Sequence, residues 1–165
     1  MFLYEPSIKE LWFITDGETS EPTSEDEEEV APANEFAIEK HLEDFLIANW
    51  EKTDLGRQYD LIEQDGEPVS QQFSTDVGFI DLLVRDKRTN DYVVIELKKG
   101  QSSDHTAGQL ARYMGWVRQN LAKGKKVQGV VIANNIDDKL RYALSENPNA
   151  TAMIYKLNFT LEKAK

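Results

Sequence analysis

Gly78-Phe79-Ile80-Asp81-Leu82-Leu83-Val84-Arg85-Asp86, followed at once by Lys87-Arg88-Thr89-Asn90-Asp91 and then Tyr92-Val93-Val94-Ile95-Glu96-Leu97-Lys98-Lys99-Gly100, is the stretch on which the fold turns. Two apolar runs flank a polar segment, Asp86 to Asp91, and this predicts a hairpin. Successive side chains of a strand point to opposite faces. Glu96 and Lys98 therefore share one face, and Ile95 and Leu97 the other. Because Val93, Val94, Ile95 and Leu97 make both faces apolar, the second run reads as a central strand buried on both sides. Asp81, Glu96 and Lys98 would then project from the middle of a hydrophobic sheet, where charges are costly unless they pair or bind a metal. A metal-dependent phosphodiesterase needs that arrangement. On a solvated face, the same acid-x-lysine would be an ordinary cross-strand ion pair.

On the C-terminal side, Gly100 is expected to end the second strand. Ser102-Ser103-Asp104 offers caps for a helix from about residue 105 to 122, which Gly124 closes. Val127 to Ala133 reads as another buried strand, Asp137 to Asn147 as a short helix, and residues 151–159 as a last strand. On the N-terminal side, a helix starts near Asn34, a candidate cap, with Ile38, Leu42, Phe45 and Asn49 on one stripe and Leu46 and Trp50 beside it. Two β segments follow, near 57–63 and 69–76, joined by a turn at Gln64-Asp65-Gly66-Glu67. The order α-β-β-β-β-α-β-α-β predicts an α/β domain with a mixed central sheet.

The 165 residues suit one domain with a sizeable core. No cysteine is present, which excludes disulfides and thiolate ligands and suits a reducing compartment. The N-terminus has no signal-peptide pattern, and no run approaches the roughly eighteen apolar residues of a membrane span. A cytoplasmic location with no membrane partner is the expectation. The net charge of −11 is unevenly spread, with one lysine and ten acids before residue 34. Residues 1–16 read as a strand or hairpin segment, 17–33 as a flexible acidic linker, and 34–165 as the compact domain. The nearly balanced compact domain is free to carry a basic face.

The helix after Lys98 carries a second signal. Gln109, Arg112, Tyr113 and Trp116 are spaced i, i+3, i+4, i+7 and so lie along one helical face. Such a face could equally be amphipathic surface, with Tyr113 and Trp116 partly in the core. The runs GFIDLLVRD, DYVVIELKKG and AGQLARYMGWV together resemble the nuclease domain of the NucS (EndoMS) endonucleases, of the PD-(D/E)XK superfamily, over roughly residues 35–159. The resemblance implies a restriction-endonuclease-like fold, a mixed central sheet flanked by helices. It puts the superfamily's aspartate on Asp81, its E-x-K on Glu96 and Lys98, and the family's glutamine and tyrosine on Gln109 and Tyr113. The glutamate of the first helix falls on Glu39, with Glu43 one turn further on the same face as the reserve.

The implied activity is divalent-metal-dependent hydrolysis of DNA, with Mg²⁺ or Mn²⁺ on Asp81, Glu96 and Glu39, since these ions prefer oxygen ligands. Arg112, Lys99, Trp116 and His105 are the expected nucleic-acid contacts; His105 and His41 are the only histidines, too few for a histidine metal cluster. DNA is the expected partner, and a homodimer stays open. Two departures stand out. Phe79-Ile80 precedes Asp81 where the superfamily's name has a proline, and only about 33 residues precede the domain where larger NucS proteins carry an N-terminal domain for DNA binding and dimerisation. Two other readings compete with an active nuclease: an inactive nuclease fold that binds nucleic acid, and an acidic interaction protein or DNA mimic.

Overall fold

The computed structural model describes residues 31–102, 104–156 and 160–164. The expected N-terminal hairpin, and the acidic linker as far as residue 30, lie outside the described residues. The chain enters through helix α1 (Ala31–Ala48), a 3-10 turn (Trp50–Lys52) and a short helix α2 (Asp54–Gln58). Strands β1 (Tyr59–Leu61), β2 (Glu63–Gln64), β3 (Glu67–Pro68), β4 (Gln71–Thr75), β5 (Gly78–Asp86) and β6 (Tyr92–Ser102) follow. Helix α3 (Asp104–Asn120), strand β7 (Val127–Ile136), helix α4 (Asp138–Ser145) and strand β8 (Ala150–Ile154) complete the order.

β5 and β6 form the expected antiparallel hairpin, with Leu82 opposite Ile95 and Arg85 opposite Tyr92. β7 then joins β6 in parallel, and β8 joins β7 in parallel, because α3 and α4 carry the chain back between them. The sheet order is β1-β5-β6-β7-β8, with β4 also on β5. One face of the sheet packs Val93, Ile95 and Leu97 against Leu42 and Leu46 of α1. The other packs Val94 and Val131 against Leu110, Met114 and Val117 of α3. With helices covering both faces, β6 is buried on both sides, as its unbroken apolar run requires.

Several elements depart from the sequence reading. α1 begins at Ala31, so Asn34 lies inside the helix and does not cap it, and residues 31–33 belong to the helix rather than to the linker. Residues 57 and 58 end a helix instead of opening a strand. Thr53 caps that helix by accepting the Gly56 N–H at 3.0 Å, and the Trp50 indole donates to the Tyr59 carbonyl at 3.1 Å. The Asp65-Gly66 turn is real but joins only β2 to β3. β1 and β4 do not pair with each other; they take successive halves of the same edge of β5, Val84–Asp86 for β1 and Gly78–Leu82 for β4. β6 runs on through Gly100 to Ser102 with one extra residue after Lys98, a β-bulge against β7. The last strand stops at Ile154.

Candidate active site

Alternation holds along β6. Ile95 and Leu97 lie in the α1-side core, and Glu96 follows Val94 by two onto the opposite face. It breaks on β5 at Asp81. Leu82 and Val84 pack on the α1 side, whereas Ile80, of the same parity, packs on the α3 side. Opposite the break, between the pairs Gln71–Leu82 and Phe73–Ile80, stands Gln72. Its φ is 49°, a left-handed backbone that costs on the order of 1–3 kcal/mol outside glycine. Of the other three described non-glycine residues with positive φ, Asp65 and Lys123 sit in turns and Asn90 in the loop between β5 and β6. Among the described non-glycine residues, Gln72 alone has a positive φ within a strand.

The break leaves the Leu97 N–H to the Asp81 side chain: Asp81 Oδ2 accepts it at 2.8 Å. Asp81 Oδ1 accepts from Gln72 Nε2 at 3.2 Å, and the same amide donates to Glu43 Oε2 at 2.8 Å. Glu43 is 3% exposed, and its second oxygen has no hydrogen-bond partner among the described residues. Glu96 is 0% exposed; neither of its oxygens accepts a hydrogen bond from the described residues, and its protonated carboxyl donates to Asp81. Burial, then the Asp81 charge, pushes the Glu96 carboxyl up from 4.5 to about 9; Lys98 opposes the shift, and the hydrogen bond to Asp81 and the Glu39 charge add to it. Burial also raises Asp81, against the Leu97 N–H and the Lys98 charge. It raises Glu43 as well, against the Gln72 and Gln71 amides.

Buried anions with unmet acceptor oxygens are unstable as they stand. They either hold protons or meet a cation. Among the described residues no three histidine, aspartate or glutamate side chains converge on one point. The donors come as carboxylate pairs, Asp81 with Glu96 and Asp81 with Glu43. Mg²⁺ keeps several waters and needs only one or two protein carboxylates, so an incomplete oxygen set of this kind suits it. The residues present fit a hard divalent ion.

Of the other expected residues, Glu39 is half-buried and its charge acts on both Glu96 and Tyr155. Gln109 is half-buried, and Tyr113 is buried in the α3-side core at 4% exposure. The Tyr113 hydroxyl lies against Gly78, where a Cβ would fall 2.5 Å from it. Glycine is needed there for a second reason, a φ of 129°. Arg112 is exposed, with its guanidinium 5.4 Å from the Tyr113 ring centre. Trp116 is half-buried and meets Phe73 edge to face at 6.4 Å, with its indole nitrogen enclosed. His41 and His105 are exposed on the surface, and the Lys99 side chain lies outside the described residues. A separate groove between α1 and β8, lined by Leu46, Asn49, Ile132, Met153 and Tyr155, contains neither Asp81 nor Glu96. Sequence reasoning missed Gln72. A glutamine in a polar strand carries no signal until its backbone angle and its two carboxylate partners are known.

Residues 39–154 match the model of the endonuclease NucS C-terminal domain. Curated relatives include the endonuclease NucS of Methanocaldococcus jannaschii, 29% identical over 54% of this chain and 34% of the relative. The endonuclease NucS of Sulfolobus acidocaldarius is 30% identical over 67% of this chain and 40% of the relative. The chain thus spans about a third to two-fifths of the length of these relatives. Among solved structures, an EndoMS–dsDNA complex superposes with a TM-score of 0.59 at 19% identity, over 74% of this chain and 46% of that one. A repair endonuclease from Pyrococcus abyssi superposes with a TM-score of 0.56 at 18% identity, over 83% of this chain and 50% of that one. At these identities the likeness speaks for the fold, the restriction-endonuclease-like mixed sheet flanked by helices.

Proposed function

The chain belongs to the endonuclease NucS C-terminal domain family, and on that premise we propose that it hydrolyses phosphodiester bonds in DNA as a Mg²⁺- or Mn²⁺-dependent endonuclease of the PD-(D/E)XK type. One observation carries the reading: Glu96 is fully buried, neither of its oxygens accepts a hydrogen bond from the described residues, and its partners are the Asp81 carboxylate beside it and the charge of Lys98. A solvated surface ion pair has no such unmet acceptors. The curated relatives are named endonucleases, and one neighbouring structure is a complex with double-stranded DNA; both support DNA as the substrate.

Asp81 and Glu96 would hold the ion, with Glu39 or Glu43 reaching it through water. Bound there, it supplies an acidified water and a polarised phosphate. Lys98 orients the attacking water and offsets negative charge as it builds on the phosphate oxygens. Gln109 and Tyr113 hold the nucleophile or a phosphate oxygen in place. Arg112, exposed at the edge of the same helix, contacts the DNA backbone as a cation.

A cleavage assay over plasmid, single-stranded and branched DNA, with Mg²⁺, Mn²⁺ or EDTA, tests this directly. Nicking or cutting is expected with either ion and none with EDTA, and Asp81→Ala should match the EDTA lanes. Cleavage that survives EDTA, or that Asp81→Ala retains, would remove the metal site from the account.

A further inference from the structure

We propose that Gln72 is a positioning residue whose side-chain amide clamps Asp81 and Glu43 into one ligand set, at the expense of a left-handed backbone in the middle of β4. The inference rests on the metal-dependent reading of the site and goes beyond it by naming the group that sets the site's geometry. Three observations converge. The Gln72 amide donates to Asp81 at 3.2 Å and to Glu43 at 2.8 Å, one N–H for each carboxylate. Gln72 is the one non-glycine residue with positive φ inside a described strand, and the strand pairs on either side of it are regular. Asp81, directly across, is where the facing of β5 reverses. Strain of this kind persists where the surrounding structure enforces it, and it tends to gather at functional positions.

The arrangement has a physical rationale. Two carboxylates brought together repel each other, and without a donor between them each would turn toward water. A neutral amide offers two N–H donors and adds no charge, so it holds both without competing for a cation. Gln72 occupies one side of Asp81 and the Leu97 N–H the other, which fixes the carboxylate plane. Glu43, on α1, is tied to the same amide and keeps one oxygen without a partner among the described residues. That brings Glu43 into the same set as Asp81. The Gln72 side chain is itself open to solvent, so it closes the outer side of a site whose inner wall, Glu96, is dry. Groups that orient metal ligands from one shell out typically alter metal affinity by about 10–100-fold when lost.

The test uses Mn²⁺ alone as the probe, titrated calorimetrically into the full chain, wild type against Gln72→Gly. Glycine removes the amide and accepts the left-handed backbone; a cooperative melting transition without metal checks that the variant is folded. The expected result is Mn²⁺ binding weakened by about 10-fold or more. The Mn²⁺ concentration for half-maximal cleavage should rise in step, while the rate at saturating Mn²⁺ changes by only a few-fold. Gln72→Met keeps the bulk without the donors and should give the same loss, so a folding failure of the glycine variant does not shield the idea. Wild-type Mn²⁺ affinity in either folded variant overturns the clamp and leaves the nuclease reading standing. A wild-type chain that neither binds Mn²⁺ nor cleaves DNA overturns both.

Discussion

Replacing Glu96 with glutamine is expected to abolish cleavage and, at the same time, to make the metal-free protein more stable at neutral and alkaline pH. Both effects have one cause. Glu96 is fully buried, and its carboxyl is raised from 4.5 to about 9 by burial and by Asp81. Below about pH 4.5 the folded and unfolded chains both hold the proton, and the site costs nothing. As the pH climbs from there toward 9, the unfolded chain releases its proton while the folded one retains it, so stability is lost across that window. The loss is on the order of a few kcal/mol. Glutamine has the same shape and no ionisation, so Glu96→Gln should flatten the fall in melting temperature between about pH 5 and 9. In the proposed metal site it would also remove an anionic ligand, and cleavage with it. Melting curves against pH in EDTA, beside cleavage assays in Mg²⁺, measure the two effects. A variant that melts like the wild type throughout would show that Glu96 is not a dry, proton-holding group. One that still cleaves at the wild-type rate would show that it is not a ligand.

Lys98→Ala should separate chemistry from binding. The ammonium lies within the fields of Asp81 and Glu96; in the proposed mechanism it acts most on charge that develops on the phosphate, so its loss would fall on the transition state. The cleavage rate at saturating metal and DNA should drop by about 10²–10³-fold, the usual scale for losing one such electrostatic contact. DNA affinity should change little, since one half-buried lysine among several basic residues supplies only a small share of phosphate contact. Single-turnover rates and a DNA-binding isotherm in Ca²⁺ distinguish the two. Unchanged rates with weakened binding would make Lys98 a phosphate contact only.

The hairpin, the central strand and the acidic pair were legible in the sequence because they rest on one strong local pattern. A nearly continuous apolar run interrupted by Asp81, Glu96 and Lys98 fits few structures. The edge of the sheet was not legible. The elements of residues 57–76 are short, polar and mostly exposed, so periodicity could not separate the turn of helix at Asp54–Gln58 from a strand. Nor could it show that β1 and β4 share an edge of β5 rather than pairing with each other. Tertiary packing of Trp50 and Leu55 into the α1-side core decided the first.

The choice between Glu39 and Glu43 was beyond the sequence for a related reason. Both lie on one helical face, and their surroundings differ only in the folded chain: Glu43 is buried and accepts from Gln72, whereas Glu39 is half-buried and acts on Glu96 through its charge. Gln72 itself required a backbone angle. At Gly100 the chain continued as strand because a bulge absorbs one extra residue, which no spacing rule reveals.

If Asp81 and Glu96 form a divalent-cation site, metal binding releases a proton. Mn²⁺ is titrated into the wild-type chain near pH 7.5 in buffers of different ionisation enthalpy. With its carboxyl at about 9, Glu96 enters the titration protonated and must give up that proton to become a ligand. The apparent enthalpy should vary with buffer by about one proton released per ion bound. Glu96→Gln should lose both the release and most of the affinity. Absence of Mn²⁺ binding, or binding with no proton release and no dependence on Glu96, would contradict such a site.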